Sequence, residues 1–285
     1  MPPSPGVGGT RTVNTPRYDP SWEDPVSRRH YRTTFDEDPE AYHRSRPLCP
    51  AVVFEDLVSL AGLRPGSSVL EIGPGTGQAT RPLAERGLDV LALELGSELA
   101  AWARRELADL ASVRVMNVAF EDWDPEGRTF DAVFACNSFH WVDPAVRFGR
   151  AASLLRPGGH LVVVATPWVV PDDAEPFWWE VQDDYEAVFG HRVDPASLHP
   201  DRVQDLGPLV RASGYFRDPT IRRYPFVVAF SKQNYLINLS TQSGIKELSD
   251  DARHDLLERI GRRIDVHGGR LRAHLLGVLT VAQVR

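Results

Sequence analysis

The sequence predicts an α/β protein whose centre is a seven-stranded, mostly parallel sheet with helices on both faces, and three observations lead to this fold class. Short apolar segments alternate with longer amphipathic segments through residues 67–166, which is typical of parallel strands joined by helices. The apolar segments are nearly continuous, as expected for a doubly wound sheet that is covered on both faces. Two further apolar segments, at 220–231 and 270–285, bring the predicted strands to seven.

The first five predicted strands are separated by helices and bounded by turn residues. These strands are 67–73, 89–95, 113–120, 130–138 and 160–166. The helices between them are predicted at 78–86, 97–107 and 145–155, where apolar residues recur at helical spacing. The Arg-Pro-Gly-Gly segment at 156–159 is predicted to be the turn that precedes the fifth strand.

The segments outside this alternating region predict how the chain is divided. Residues 1–20 are rich in Pro, Gly, Ser and Thr, which predicts a disordered tail. Residues 21–66 are expected to form a helical N-terminal segment, and residues 67–285 the main domain. Within that domain, residues 249–266 place their apolar side chains on one helical face.

The composition of the 285-residue chain narrows the class of protein. A formal charge of −7 makes nucleic acid an unfavourable partner. No apolar segment approaches the roughly 20 residues of a membrane helix, and the N-terminus lacks the hydrophobic part of a secretory signal. Cys49 and Cys136 lack the spacing of a disulfide framework or zinc site, and the nine histidines are scattered without metal-ligand spacing. We therefore expect a cytoplasmic protein with a small-molecule partner and no metal, whose oligomeric state the sequence does not predict.

A glycine-rich loop directly follows the first predicted strand. From Glu71 to Gly77 the order is an acid followed by glycine at every second position. Such a loop, placed before a helix, lets a ligand approach the main chain and offers free N–H groups and the positive end of the helix dipole. Gln78 stands where a dinucleotide-binding fingerprint has its third glycine, and no Gly-Lys-Ser/Thr of a P-loop is present. An acid at position 71 would repel a pyrophosphate and suits a ligand that carries positive charge.

A second acid, Glu94, ends the second predicted strand. At that position a carboxylate can accept two hydrogen bonds from a ribose diol. A positively charged nucleoside derivative with a free diol satisfies both acids, and S-adenosylmethionine is such a molecule. The two acids and the loop therefore predict S-adenosylmethionine as the cofactor.

With these motifs the sequence resembles the class I S-adenosylmethionine-dependent methyltransferases, whose fold is Rossmann-like. Residues 120–165 look like that family's third to fifth strands, and residues 41–47 look like the N-terminal segment that covers the cofactor. Within the family, the sequence is most similar to small-molecule methyltransferases resembling trans-aconitate carboxyl methyltransferase. The resemblance covers residues 35–166 well and residues 210–285 more loosely.

The resemblance implies a set of cofactor-binding residues. In this set a Tyr and an Arg approach the methionyl end, and the residues after strand three, Glu121 among them, frame the adenine. The cofactor-binding set is Tyr42, Arg46, Glu71, Gly73, Gly75, Gly77, Glu94, Leu95, Ala119, Phe120 and Asn137.

The sequence predicts the residues that bind the methyl acceptor less specifically than those that bind the cofactor. His140, just past the fourth strand, is the candidate general base, or else a packed histidine that shapes the pocket. Trp141, Trp178, Trp179 and Tyr185 are expected to contact the acceptor, the last three from a lid insertion at 167–205, although ordinary helix packing explains them equally well. A second lid insertion at 231–266 could supply polar contacts from residues 241–244. Five arginines could pair with an anionic acceptor: Arg222, Arg223, Arg259, Arg262 and Arg263. A solvated helix face explains the last three better.

Three functions stay open at this point. The leading hypothesis is methyl transfer to a small molecule at a carboxylate, which needs no base, with S-adenosylhomocysteine as the by-product. The second is methyl transfer to a hydroxyl or nitrogen with His140 as base. The third is a protein that binds the cofactor and transfers no methyl group.

Overall fold

Eight strands form one sheet in the computed structural model, which describes residues 31–285. The strands are β1 Ser68–Ile72, β2 Asp89–Glu94, β3 Val113–Asn117, β4 Phe130–Cys136, β5 Leu155–Ala165, β6 Trp168–Val169, β7 Thr220–Ser231 and β8 Arg270–Gln283. Their order is β3-β2-β1-β4-β5-β8, with β7 paired to β8 and the short β6 paired to β8 as well. The first five strands are parallel, and β8 is antiparallel to its neighbours.

Strand β1 lies where the strand order reverses. Its residue Glu71 is in register with Ala92 of β2 on one side and with Phe134 of β4 on the other. Because the three strands are parallel, their carboxyl ends meet at one edge of the sheet. Such a switch point is where open α/β sheets bind ligands.

Helices cover both faces of the sheet and its carboxyl edge. They are α1 Pro39–Ser45, α2 Ala51–Leu60, α3 Thr80–Glu85, α4 Ser97–Glu106, α5 Arg147–Ser153, α6 Phe177–Glu180, α7 Gln182–Phe189, α8 Gly207–Ser213, α9 Lys232–Ser240, α10 Ser243–Lys246 and α11 Asp250–Val266, with short 3₁₀ helices at Thr34–Glu37, Phe139–Trp141, Pro195–Leu198 and Pro200–Arg202. Local signals set their ends: the Ser249 hydroxyl accepts from the Ala252 N–H at the start of α11, and Gly190 ends α7 in the left-handed conformation. Within residues 31–285, no helix combines the length and apolarity that crossing a bilayer requires.

The core lies on both faces of the sheet because alternate residues of each strand point in opposite directions. Leu70, Leu91 and Leu161 belong to a cluster on one face. Their sequence neighbours Val69 and Val90 belong to the cluster on the other face. A third cluster packs the helices of residues 170–271 against the antiparallel end of the sheet.

The predicted mostly parallel α/β sheet is confirmed, with eight strands instead of the predicted seven, because the short β6 pairs with β8, and with differences at element ends. Residues 156–159, predicted as a turn, lie inside β5, where the register with β4 shifts between the Phe130 and Ala132 pairs. The third strand stops at Asn117 because the Asp122 and Trp123 N–H groups turn back to the Ala119 carbonyl. The predicted tail and residues 21–30 lie outside the described residues.

The central position of β5 in the sheet leads to a prediction about the free energy of unfolding. Leu161 has no exposed surface, so Leu161→Ala should remove buried contacts and lower the free energy of unfolding by about 2–5 kcal/mol. The matched control is Leu48→Ala, because Leu48 is 65% exposed and should change stability by less than about 0.5 kcal/mol. Urea denaturation of both variants measures the difference, and equal losses would contradict the assigned core.

Candidate active site

A cavity of about 510 Å³ opens at the carboxyl ends of β1, β2 and β4. Its walls come from the loops after these strands, from the described part of the N-terminal segment, and from residues 242–248 near α10. The volume falls within the roughly 300–1,000 Å³ range of small-molecule sites. The cavity therefore occupies the place at which this sheet topology binds ligands.

The glycine loop is shaped by close packing. Gly73, Gly75 and Gly77 have φ of +64°, +58° and +91°, which glycine adopts without strain. A Cβ added at Gly73 would lie 2.8 Å from the Ser138 Cβ, and one at Gly77 would lie 2.7 Å from the Leu107 Cδ1. These two positions thus exclude a side chain on steric grounds as well.

The three glycine N–H groups of the loop are not free, in contrast to the free N–H groups expected from the sequence. The Gly73 N–H donates to the Leu93 carbonyl, and the Gly77 N–H donates to the Pro74 carbonyl, both at 2.9 Å. The Gly75 N–H donates to the Glu94 carboxylate at 2.9 Å. Gly73 lines the cavity, whereas Gly75 and Gly77 do not, although Gly75 lies close to the Tyr42 ring that does. The glycines therefore permit close approach to the main chain and supply no unpaired donors of their own.

Glu94 is a buried carboxylate that backbone groups hold in place. Its Oε2 accepts from the Gly75 N–H and its Oε1 accepts from the Gly96 N–H, each at 2.9 Å. Burial raises the pKa of Glu94 to about 7, and the two hydrogen bonds oppose this rise. Each oxygen keeps capacity for a second hydrogen bond, and the side chain lines the cavity.

Glu71 lines the same cavity and is 1% exposed. Neither of its carboxyl oxygens forms a hydrogen bond of normal geometry within the described part of the chain, although the Thr80 hydroxyl lies near enough to lower its pKa. Burial raises the pKa of Glu71 to about 8. A buried polar group without a partner is rare and calls for an explanation, and a positively charged ligand in the cavity would provide one. The residues present thus fit a cationic cofactor such as S-adenosylmethionine.

Helix α1 and the 3₁₀ helix before it carry aromatic and cationic groups to the cavity. The Arg46 guanidinium lies 4.9 Å from the ring centroid of Tyr42 and 5.8 Å from that of Phe35. The Arg46 Nε is buried and has no hydrogen-bond partner, and burial lowers the pKa of Arg46. The Phe35 ring packs edge-on against Trp141, with 5.6 Å between centroids. This segment therefore meets the residues after β4 across the cavity.

Two other elements anchor this N-terminal segment. The Asp36 carboxylate accepts from the Leu99 N–H at 2.8 Å, at the start of α4. The Lys246 ammonium of α10 donates to the Thr34 carbonyl and pairs with Glu37 at 3.0 Å. The segment is thus fixed both to the parallel half of the fold and to the second insertion.

The three residues expected near the adenine, Ala119, Phe120 and Glu121, line the cavity, as does Leu95 of the cofactor-binding set. The Glu121 carboxylate pairs with Arg32 at 2.7 Å. The structure therefore brings this expected group together and adds a cation from the N-terminal segment.

Asn137, His140 and Trp141 follow β4 and line the cavity. Asn137 has φ of +53°, and its side chain exchanges two 2.7 Å hydrogen bonds with Thr166. Burial, with a smaller effect of Arg147, lowers the pKa of His140 to about 3. The imidazole is consequently neutral at ordinary pH and is a weak base.

Three aromatic residues expected at the acceptor end do not reach the cavity. The Trp178 indole N–H donates to the Arg272 carbonyl at 3.0 Å, and Tyr185 packs within the third core cluster. Trp179 is 41% exposed. Helix packing, the alternative for this segment, explains these positions.

Two other aromatic residues of the same segment, Trp168 and Phe189, line the cavity instead. Trp168 lies just past the carboxyl end of β5, a position that the rule on strand ends could have indicated. Residues 242–244 also line it, in agreement with the expectation for residues 241–244.

The five arginines considered for an anionic acceptor are not among the residues that line the cavity. Arg259 and Arg262 pair with acids one helical turn away, and Arg263 pairs with Asp184 of α7. Arg223 binds the Pro200 and Val203 carbonyls. These contacts stabilise the fold rather than a ligand.

Comparison with known proteins finds similarity to methyltransferases over part of the chain. A family model described as a methyltransferase domain matches residues 69–159. An uncharacterized methyltransferase of Mycobacterium tuberculosis is 37% identical over 138 residues, 48% of this chain and 54% of that protein. A demethylmenaquinone methyltransferase of Beutenbergia cavernae is 34% identical over 113 residues, 38% of this chain and 45% of that protein. The chain spans about half the length of these relatives.

A solved structure shares the fold. This candidate type II methyltransferase from Anaeromyxobacter dehalogenans has a TM-score of 0.59 and 19% identity, covering 84% of this chain and 97% of that chain. The chain therefore shares the fold of this structure and is similar to methyltransferases over residues 69–159.

The burial of Glu71 leads to a prediction about how the free energy of unfolding depends on pH. Between its ordinary pKa of 4.5 and about 8, the folded protein holds a proton that the unfolded chain has released, so stability falls as pH rises. Glu71→Gln should remove this loss and make the empty protein about 1–3 kcal/mol more stable than wild type at pH 8, with a smaller difference at pH 5. The exposed Glu55→Gln serves as control. A Glu71→Gln difference that does not grow with pH would contradict the assigned protonation.

Proposed function

We propose that the protein transfers the methyl group of S-adenosylmethionine to a small-molecule acceptor, at a carboxylate oxygen. The observation that carries the proposal is one cavity that combines an unpartnered, buried Glu71 with an aromatic end around Trp141. S-adenosylmethionine supplies an electrophilic methyl group on a sulfonium, which an acceptor nucleophile displaces in line. The task of the protein is then to align the two molecules and exclude water.

The cofactor half of the proposal assigns roles to residues on three sides of the cavity. The Glu94 carboxylate, fixed by two backbone N–H groups, accepts hydrogen bonds from the ribose diol. Ala119 and Phe120 contact the adenine, and Glu121 contributes at its edge. Tyr42 and Arg46 face the methionyl end, where the buried Nε of Arg46 donates to a carboxylate.

The acceptor half of the proposal rests on the lining of the other end. Phe35, Trp141, Trp168 and Phe189 are aromatic, and Gln242 is polar. One cavity of about 510 Å³ has to hold both molecules, so the acceptor is small. Segments 167–205 and 231–266 act as lids in this proposal, because each contributes part of this wall.

The basicity of His140 favours a carboxylate acceptor. With its pKa lowered to about 3, the imidazole binds a proton poorly at neutral pH. A general base works best when its pKa lies near the working pH. A carboxylate reaches the site already deprotonated, so His140 acts by orienting the acceptor and not by removing a proton.

A substitution at Gly75 tests the part of the proposal that concerns cofactor binding. A Cβ at this position would lie 3.3 Å from the Tyr42 ring, so Gly75→Val should displace Tyr42 and weaken S-adenosylmethionine binding at least about tenfold. Gly127→Val is the matched control, because Gly127 has φ of +80° with open space around it and carries a similar backbone penalty. Isothermal titration calorimetry measures both affinities, and wild-type affinity in Gly75→Val would argue against the assigned approach to the loop.

An acceptor panel tests the transfer itself. The protein is incubated with methyl-labelled S-adenosylmethionine and a set of mono-, di- and tricarboxylates, phenols and amines. We expect labelled methyl ester from a carboxylate, with turnover at saturating cofactor that shows no inflection from His140 between pH 6 and 9, since its pKa is about 3.

Variants separate the carboxylate mechanism from base catalysis. His140→Ala should retain turnover within about tenfold of wild type, whereas loss of a general base costs about 100-fold or more. The exposed His254→Ala is the control. If turnover of His140→Ala falls about 100-fold or more and the product is a methylated phenol or amine, the acceptor atom is a hydroxyl or nitrogen rather than a carboxylate oxygen. Donor binding without any methylated product would support a protein that binds the cofactor and transfers no methyl group.

A further inference from the structure

The carboxyl group of Glu71 is buried at the switch point of the sheet, and neither of its oxygens forms a hydrogen bond of normal geometry. The nearby Thr80 hydroxyl lowers the pKa of this carboxyl but carries no charge, so the fold leaves an ionised Glu71 without a positive partner. Because the side chain lines the cavity, its missing partner belongs to whatever the cavity binds.

The groups around Glu71 do not supply positive charge. Glu94 faces it from β2 and Cys136 faces it from β4, while the neutral Thr80 hydroxyl of α3 favours its ionised form. Across the same cavity lie Tyr42 of α1 and the guanidinium of Arg46, the residue after α1, which stacks on the Tyr42 ring. Within residues 31–285, no lysine, arginine or histidine forms an ion pair with Glu71. In this setting the neutral, protonated carboxyl is favoured until a cation arrives.

We propose that Glu71 is a proton-linked selector that is protonated in the empty site and ionised against the sulfonium of the bound methyl donor. The inference rests on the proposed function, since it takes S-adenosylmethionine as the donor. Donor binding then releases a proton from Glu71 to solvent. The by-product S-adenosylhomocysteine carries a neutral thioether in place of the sulfonium and leaves more of the carboxyl protonated.

The sign of the pH effect follows from linkage. Glu71 has a raised pKa of about 8 in the empty protein and a lower pKa beside the sulfonium. Between these two values the affinity for the donor rises with pH, by at most about tenfold per pH unit, and above the higher value it is constant. The affinity for the by-product rises less, so preference for the donor over the by-product increases with pH up to about 8.

This selection acts after the reaction. When the methyl group leaves, the positive charge beside Glu71 disappears and the carboxyl takes up a proton again. The site then binds the by-product less tightly than it bound the donor. Glu71 thereby favours exchange of spent cofactor for fresh cofactor.

Calorimetry at pH 7 in two buffers with different ionisation enthalpies tests the proposal, because the difference in heat gives the protons released on binding. We expect S-adenosylmethionine to release about half a proton or more beyond S-adenosylhomocysteine. The two ligands share the ribose and the amino acid end, so release from Glu94 cancels in the comparison. Between pH 6 and 8, the ratio of the two dissociation constants should shift toward the donor by about threefold or more.

Two variants assign the effect to residue 71. Glu71→Gln should abolish the extra proton release and flatten the pH dependence of the ratio. Glu71→Asp keeps the carboxyl and should retain part of both. Circular dichroism checks that each variant is folded, and the wild-type comparison remains decisive if either one is not.

The outcomes separate this inference from the function on which it depends. Equal proton release by both ligands in wild type, or an undiminished difference in folded Glu71→Gln, overturns the selector and leaves the methyltransferase proposal intact. Failure of both ligands to bind overturns the two together.

Discussion

The hydrogen bonds from Gly75 and Gly96 to the Glu94 carboxylate are the contacts on which the site depends. They join the loop after β1 to the end of β2, and they do so with a side chain that is nearly inaccessible to solvent. Burying a carboxylate is costly, and two backbone donors reduce that cost. The same contacts fix the direction of the carboxyl at the cavity wall, so loop geometry and ligand recognition share one interaction.

Two buried acids next to one cavity have different environments. Glu94 is satisfied by the main chain, whereas Glu71 is not satisfied by any described residue. In the proposed function, this difference divides their roles between the neutral ribose diol and the positively charged sulfonium. A site that is proposed to bind a cation and then release a neutral product benefits from one rigid acid and one that changes its protonation.

Much of the fold and of the cofactor half of the cavity could be predicted from the sequence, because those signals are local. The spacing from Glu71 to Gly77 and the acid at Glu94 are read directly from consecutive residues, and the register of β1 and β2 then brings them together. The strand alternation predicted the parallel core, and the apolar content of residues 220–231 and 270–285 predicted the last pair of strands. The strand conformation of residues 156–159 could not be predicted from the local sequence, because the continuation of β5 through them depends on pairing with β4.

The acceptor end could not be predicted to the same degree, because its residues are selected by long-range packing. Trp178 and Trp168 are chemically identical, but their long-range contacts differ. The indole N–H of Trp178 donates to the Arg272 carbonyl and its ring lies in the core cluster, whereas Trp168 pairs with β8 as part of β6 and lines the cavity. No local pattern shows that Lys246 meets Thr34 across more than two hundred residues. That contact has a practical consequence for anyone who wishes to re-engineer the acceptor range. Exchanging residues 242–248 for a loop from another protein would also remove the contacts of Lys246 with Thr34 and Glu37. The N-terminal segment would then lose one of its two anchors unless the lysine were kept.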